Sequence, residues 1–258
     1  MHYRPFLPSP RHGFTLIEIA VVLVIAGLII GGIMGGQSLL RQSQLQTVIN
    51  DYTKYSSTAN QFRLQYGGWP GDLADATNYW GDDATNCSDT NVANGSPGTC
   101  NGNGDGDIAD STEPYRAWQQ LVLAKLIKGS FSGTGTAAVP GTNTPSSRVS
   151  GAGWNFGYKA VTSSDTDWYD QELKNFLAFG ATNAATLPQG ATLTASEAWN
   201  IDKKLDDSTP AYGRVVALKP NPSTIAPNCT TSVTDASATY NITNSSITCS
   251  LNMSLTTK

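Results

Sequence analysis

A single carboxylate near the start of a membrane-length apolar run is the strongest constraint on this chain. Arg11-His12-Gly13-Phe14-Thr15-Leu16-Ile17-Glu18 leads into apolar and glycine residues without interruption as far as Met34. As a helix, residues 14–36 extend about 35 Å, enough for a hydrocarbon core of about 30 Å. A charge at the centre of a spanning helix costs about 2.5–3.5 kcal/mol on insertion scales, so Glu18 is read as a functional residue.

The segment ahead of the run is different in kind. Residues 1–13 carry Arg4, Arg11, His2 and His12, no acid, and the prolines Pro5, Pro8 and Pro10. Prolines so spaced exclude a helix interior, and the stretch reads as a targeting leader outside the fold. Its positive charge keeps it cytoplasmic, so that the C-terminal bulk crosses the membrane. An ordinary secretory signal would be cut after the apolar run. Gly35-Gly36-Gln37 matches a small-x-small site only loosely, and Glu18 inside the core of such a signal would be left without a role.

The basic leader, the Gly13-Phe14 step and Glu18 together resemble the N-terminal signal of type IV pilins and type II secretion pseudopilins. The resemblance implies that a prepilin peptidase cuts after Gly13 and that the new N-terminal residue, Phe14, is methylated. It also makes Glu18 the fifth residue of the mature chain. A buried carboxylate requires a partner, and the resemblance supplies one, the amine of Phe14 on a neighbouring subunit, which would set the stagger between subunits. Gly27, Gly31 and Gly35, like Gly32 and Gly36, stand four residues apart, a spacing that lets helix backbones approach closely. Glycine also weakens helix by about 1 kcal/mol per residue relative to alanine, so this stretch is expected to extend locally when a subunit leaves the membrane.

Helical patterning continues past the glycines. Leu45, Val48, Ile49, Tyr52, Tyr55, Ala59, Phe62 and Tyr66 recur at steps of three and four, with Gln44, Thr47, Asp51, Lys54 and Ser57 opposite. This predicts an amphipathic continuation over residues 37–66, stopped at Gly67-Gly68. Residues 67–258 then form the head. Expected there are a turn at Trp69-Pro70-Gly71-Asp72, a helix over 113–128 and a mobile Gly/Ser/Thr/Pro loop near 130–150. A strand over 154–161 and a short helix over 170–179 follow. A capping box at Thr194 and Glu197 opens another helix, and strands come over 214–218 and 246–255. A long helix followed by short elements and late strands gives an α+β fold, with the spine packed on an antiparallel sheet. This is also the pilin-like architecture that the resemblance implies.

Cys87, Cys100, Cys229 and Cys249 allow three pairings, of which 87–100 with 229–249 is the sequence-local one. A translocated head meets an oxidising compartment, where disulfides persist. With no CxxC and no nearby histidine, pairing is favoured over metal binding. The second pair resembles, by position, the C-terminal disulfide loop of many pilins. Between Cys100 and the next helix, Asn101, Asn103, Asp105 and Asp107 alternate with glycines ahead of Ile108. With Asp110 and Glu113 they present the oxygen-rich pattern of a calcium loop, although Asn101 replaces the usual leading Asp and Glu113 falls one place late. Calcium is the one cofactor for which the sequence offers a candidate site; the alternative is a polar turn. Asp202, Asp206 and Asp207, interleaved with Lys203 and Lys204, read as a solvated helix face.

No catalytic set is legible. Both histidines leave with the leader, which removes Ser-His-Asp and Cys-His chemistry, and the expectation is a protein that is not an enzyme. Loss of the two leader arginines leaves fourteen basic residues against twenty acidic ones, a formal charge of −6, so nucleic acid is not an electrostatic partner of the whole surface. The expected function is a structural subunit that waits in the inner membrane with its head in the periplasm. It then polymerises with itself and other pilin-like subunits through an inner-membrane assembly platform, ending in a surface pilus or a periplasmic pseudopilus. The competing expectation is an anchored envelope protein that never polymerises and whose head binds calcium or glycan.

Overall fold

The computed structural model describes residues 13–83, 85–87, 98–109, 111–160, 169, 171–218, 228–234 and 237–256. The chain divides into two compact units, Met1–Ser43 and Gln44–Lys258. Helix α1 (Leu16–Tyr66) begins in the first and ends in the second.

Within the first unit, the described large apolar side chains from Leu16 to Leu40, which do not include Met34, are exposed. This stretch of α1 is long and apolar enough to cross a membrane. Within the second unit, α1 is amphipathic as its sequence predicts. Val48, Tyr52, Tyr55, Ala59 and Phe62 are buried in one hydrophobic cluster, and Leu45, Ile49 and Tyr66 pack against it. The helix stops at Gly67, whose φ of +85° ends it and whose N–H closes on the Arg63 carbonyl at 2.9 Å.

The remaining elements are α2 (Ala76–Trp80), α3 (Glu113–Leu123), β1 (Ala152–Lys159), β2 (Lys174–Ala181), β3 (Leu193–Thr194), α4 (Ala195–Leu205), β4 (Val215–Ala217), β5 (Ile247–Cys249) and β6 (Leu251–Ser254). Strands β1-β2-β6-β4, in that order, make an antiparallel sheet, and β3 pairs with β5 in a second, two-stranded one. In the four-stranded sheet, Trp154 pairs with Phe179 and Phe156 with Leu177. Leu177 and Phe179 in turn face Met253 and Leu251. This face carries the same cluster as the α1 stripe. Tyr55 lies edge-on to both Trp118 of α3 and Trp154 of β1, at 5.0 and 5.9 Å. Tyr52 donates its hydroxyl hydrogen to the Ser254 carbonyl at 2.5 Å. Each such buried aromatic contributes about 1.5–3 kcal/mol, so the spine segment and the sheet stabilise each other. The opposite sheet face holds a smaller cluster of Tyr169, Leu173, Phe176, Ala178, Ala211, Val216 and Ala238. The arrangement is the expected α+β, pilin-like fold: a long N-terminal helix with an antiparallel sheet.

Three expectations need correction. The short helix expected over 170–179 is the strand β2; residue 170 itself lies outside the described residues. β2 sits between β1 and β6, and six consecutive residues from Asn175 to Gly180 are buried, so no polar face marks it as a strand. Helix α3 ends at Leu123, short of residue 128. The chain turns at Lys125, with φ of +60°, and the N–H groups of Leu126 and Ile127 fold back on the Leu121 carbonyl. The single last strand is two, β5 and β6, which belong to different sheets and part at Ser250. Residues 130–150 form only isolated bridges, as their composition predicts, yet Ala138, Asn143, Thr144 and Val149 anchor the segment by burial.

Candidate functional site

The two residues flanking the expected cleavage point, Gly13 and Phe14, lie just ahead of α1 with Thr15 between, and the Phe14 ring is exposed. Thr15 caps the helix. The Glu18 carboxylate accepts the Thr15 N–H at 2.7 Å and the Thr15 hydroxyl at 2.8 Å, while the Glu18 N–H donates to the Thr15 Oγ1 at 3.3 Å. This is a reciprocal capping box, and the Thr-x-x-Glu spacing that announces it was available in the sequence. A Cβ placed on Gly27, Gly31, Gly32, Gly35 or Gly36 would meet nothing within 4 Å, so nothing among the described residues requires those five glycines. Residues 1–12, including the whole basic part of the leader, lie outside the described residues.

Residues 8–34 match the family model for the prokaryotic N-terminal methylation motif. The chain carries a class III prepilin signal. No curated protein and no solved structure matches the chain. The prepilin signal thus rests on its own residues, with the Gly13-Phe14 step and Glu18 inside the matched range.

In the head that follows the prepilin signal, the cysteines take the sequence-local pairing. Cys87–Cys100 and Cys229–Cys249 are bonded, with Cα atoms 5.5 and 5.0 Å apart. The first bond leads into the polar loop. Asn103 and Asp105 form a local ladder, the Asn103 amide donating to the Asp105 carboxylate at 2.8 Å and the Asp105 N–H returning to the Asn103 Oδ1 at 3.0 Å. The other Asp105 carboxylate oxygen accepts the Asp107 N–H at 2.9 Å. The loop closes over two buried carboxylates. Glu113 accepts the N–H groups of Asn103 and Ala109 at 3.2 and 3.1 Å. Asp72, from the turn after α1, accepts those of Gly104 and Gly106 at 2.8 and 3.0 Å. Gly71 permits this closure: a Cβ there would run into the Glu113 carbonyl.

Asp72 is a loop-closing carboxylate that sequence reasoning missed, since no local pattern links it to a loop some thirty positions away. Burial, then the neighbouring Glu113 charge, push its carboxyl up to about 6. Asn101 is used differently from the expectation, its side-chain oxygen accepting the Thr77 N–H of α2 at 2.9 Å. Asp110 lies outside the described residues. Two acidic or thiol clusters of metal-binding size occur among the described residues. One joins Asp82 to Cys87 and Cys100, whose sulfurs are already bonded to each other; the other is Asp202, Asp206 and Asp207.

The second cluster corrects the reading of a solvated face. Asp206 and Asp207 are exposed, but Asp202 is fully buried. Helix α4 itself starts as predicted, with Thr194 and Glu197 forming the capping box. Its Asp202 turns inward, where it accepts the Ser208 N–H at 3.2 Å and the Tyr240 hydroxyl at 2.9 Å. Burial pushes its carboxyl up to about 7.

Proposed function

We propose that the chain is the precursor of a structural filament subunit, of a type IV pilus or a type II secretion pseudopilus. A prepilin peptidase frees and methylates Phe14, and the subunit polymerises with itself and with pilin-like partners through the apolar part of α1. The observation that carries this reading is the prepilin signal on a helix whose apolar side chains and glycines are unused among the described residues. Van der Waals packing of close-approaching helices gives that surface a use in a bundle of copies. Before assembly the same helix anchors the precursor in the inner membrane, with the head on the far side. Glu18 is tied up locally by Thr15 in the single chain. In the assembled state its carboxylate leaves that cap for the Phe14 amine of a neighbour.

Glu18→Ala tests this. The variant should fold, insert and be cleaved, yet be missing from the sheared or sedimenting filament fraction. Normal incorporation of Glu18→Ala would remove Glu18 from the assembly contact. Absence of the wild-type chain itself from that fraction, with the protein intact in the membrane, would favour the anchored, non-polymerising binding protein instead.

Calcium is the proposed ligand of the polar loop in either case. The donors offered are all oxygen, the carboxylates of Asp72, Asp105, Asp107 and Glu113 and the Asn103 amide, the chemistry that calcium prefers. These carboxylates do not converge to metal-binding spacing in the single chain, so the ion would have to draw them together. When bound, the ion would neutralise carboxylates that now rely on backbone N–H groups. Asn101, engaged with α2, drops out of the set.

A further inference from the structure

Among the described residues, two guanidinium groups in the second unit have no acidic partner. Arg63, exposed near the end of α1, lies 4.8 Å from the Trp69 ring centroid. Arg214, half-buried just ahead of β4, lies 5.9 Å from the Tyr52 ring. Among the described residues neither side chain has a hydrogen bond or an ion pair, and the Arg214 Nε is closed off from solvent without an acceptor. The adjacent Asp206 bonds the backbone N–H groups of Arg214 and Val215, not the guanidinium. Both arginines line one groove of about 530 Å³ along α1, with Ser56, Ser57 and Asn60 between them.

We propose that this groove receives a carboxylate-bearing surface segment of a second copy of the chain, an inference that rests on the filament reading above. A guanidinium presents planar, paired donors that match a carboxylate, and stacking on an aromatic ring holds it ready, so little freedom is lost on binding. The partner charge is supplied by the chain itself. Without its leader it carries a formal charge of −6, and Glu172 is exposed in the head, whereas Asp75 lines a pocket with Arg63 and Asp207 lies against Gly213 beside Arg214. Copies of one net sign repel each other at long range, and the two unpaired arginines are where a neighbour's acid offsets that repulsion. A groove on one copy filled by an acid from a different surface of the next would be a heterologous contact, the kind that repeats without closing in a helical filament.

The test places a photo-crosslinking residue at Ser57, exposed in the groove, in the full-length chain in its native cells. Sheared filaments are then irradiated and the products mapped by mass spectrometry. The expected product is a dimer of the chain joined at a peptide containing Asp or Glu. Its yield should fall about tenfold or more in Arg63→Glu/Arg214→Glu and respond to added salt. A second variant, Arg63→Lys/Arg214→Lys, keeps the charge and should give a yield between the wild type and the double Glu variant, and so separates charge from misfolding. Filaments that form without this product, that give it undiminished in the double Glu variant, or that crosslink there to lipid or to an unrelated protein would overturn the groove and leave the filament reading intact. Absence of the wild-type chain from the filament fraction would overturn both.

Discussion

The carboxylate of Asp202 accepts a 2.9 Å hydrogen bond from the hydroxyl of Tyr240, joining α4 to the segment between Cys229 and Cys249. Neither group meets solvent appreciably: Asp202 is fully buried and Tyr240 is buried. The loop closed by the second disulfide is therefore fixed both covalently and through an acid.

That acid gives stability a pH dependence of definite sign. Asp202 in the fold titrates near 7, whereas an unfolded aspartate titrates near 3.9. Between those values the native state holds the extra proton, so this group's contribution is present in full at low pH and is lost as pH rises through about 7. Asp202→Asn, which imitates the protonated acid, should flatten that decline. Denaturant midpoints of both proteins at pH 5 and pH 8 check it. Equal pH slopes would contradict the assignment.

Calcium should raise the melting temperature of the full chain in detergent. Asp105→Ala and Asp72→Asn should each abolish the rise. Because Asp72 in the fold is held up to about 6, protons compete with the ion there, and the rise should shrink as pH falls below that value. Thermal melts with and without calcium at pH 5 and 7.5 read the effect. No shift in the wild type at pH 7.5 would dismiss the site.

The two parts of α1 should respond to truncation in opposite ways. Phe62 is fully buried and stacks near Tyr66 and Trp80, with ring centroids 4.6 and 5.9 Å away. Phe62→Ala should cost the head about 3–5 kcal/mol. Leu28 is exposed, and Leu28→Ala should leave head stability within about 0.5 kcal/mol while weakening recovery in the filament fraction. Unfolding curves and sedimentation of the two variants distinguish these effects.

What the sequence made legible depended on how local the signal was. The spine stripe from Leu45 to Tyr66 could be read because one face of α1 meets the core and the other meets water, so the three-and-four spacing survives. The Thr194–Glu197 cap was equally local. β2 was lost because both of its faces are buried, one in each apolar cluster, which erases the alternation that betrays a strand. Asp72 and Asp202 were missed for a different reason. Gly104 lies more than thirty residues from Asp72 and Tyr240 more than thirty from Asp202, and spacing along the chain carries no trace of those contacts. Asp202 also stands beside Lys203 and Lys204, which gave it the look of a solvated position. The Thr15–Glu18 box was in plain sight, but the unusual charge drew the reading toward an intermolecular partner.

The central claim is that the prepilin signal is processed, and the intact mass of the chain purified from native membranes or sheared filaments tests it most directly. The account predicts a polypeptide that begins at Phe14 and carries one added methyl group. A mass that retains the leader, or one that corresponds to a cut near Gly36, would contradict it.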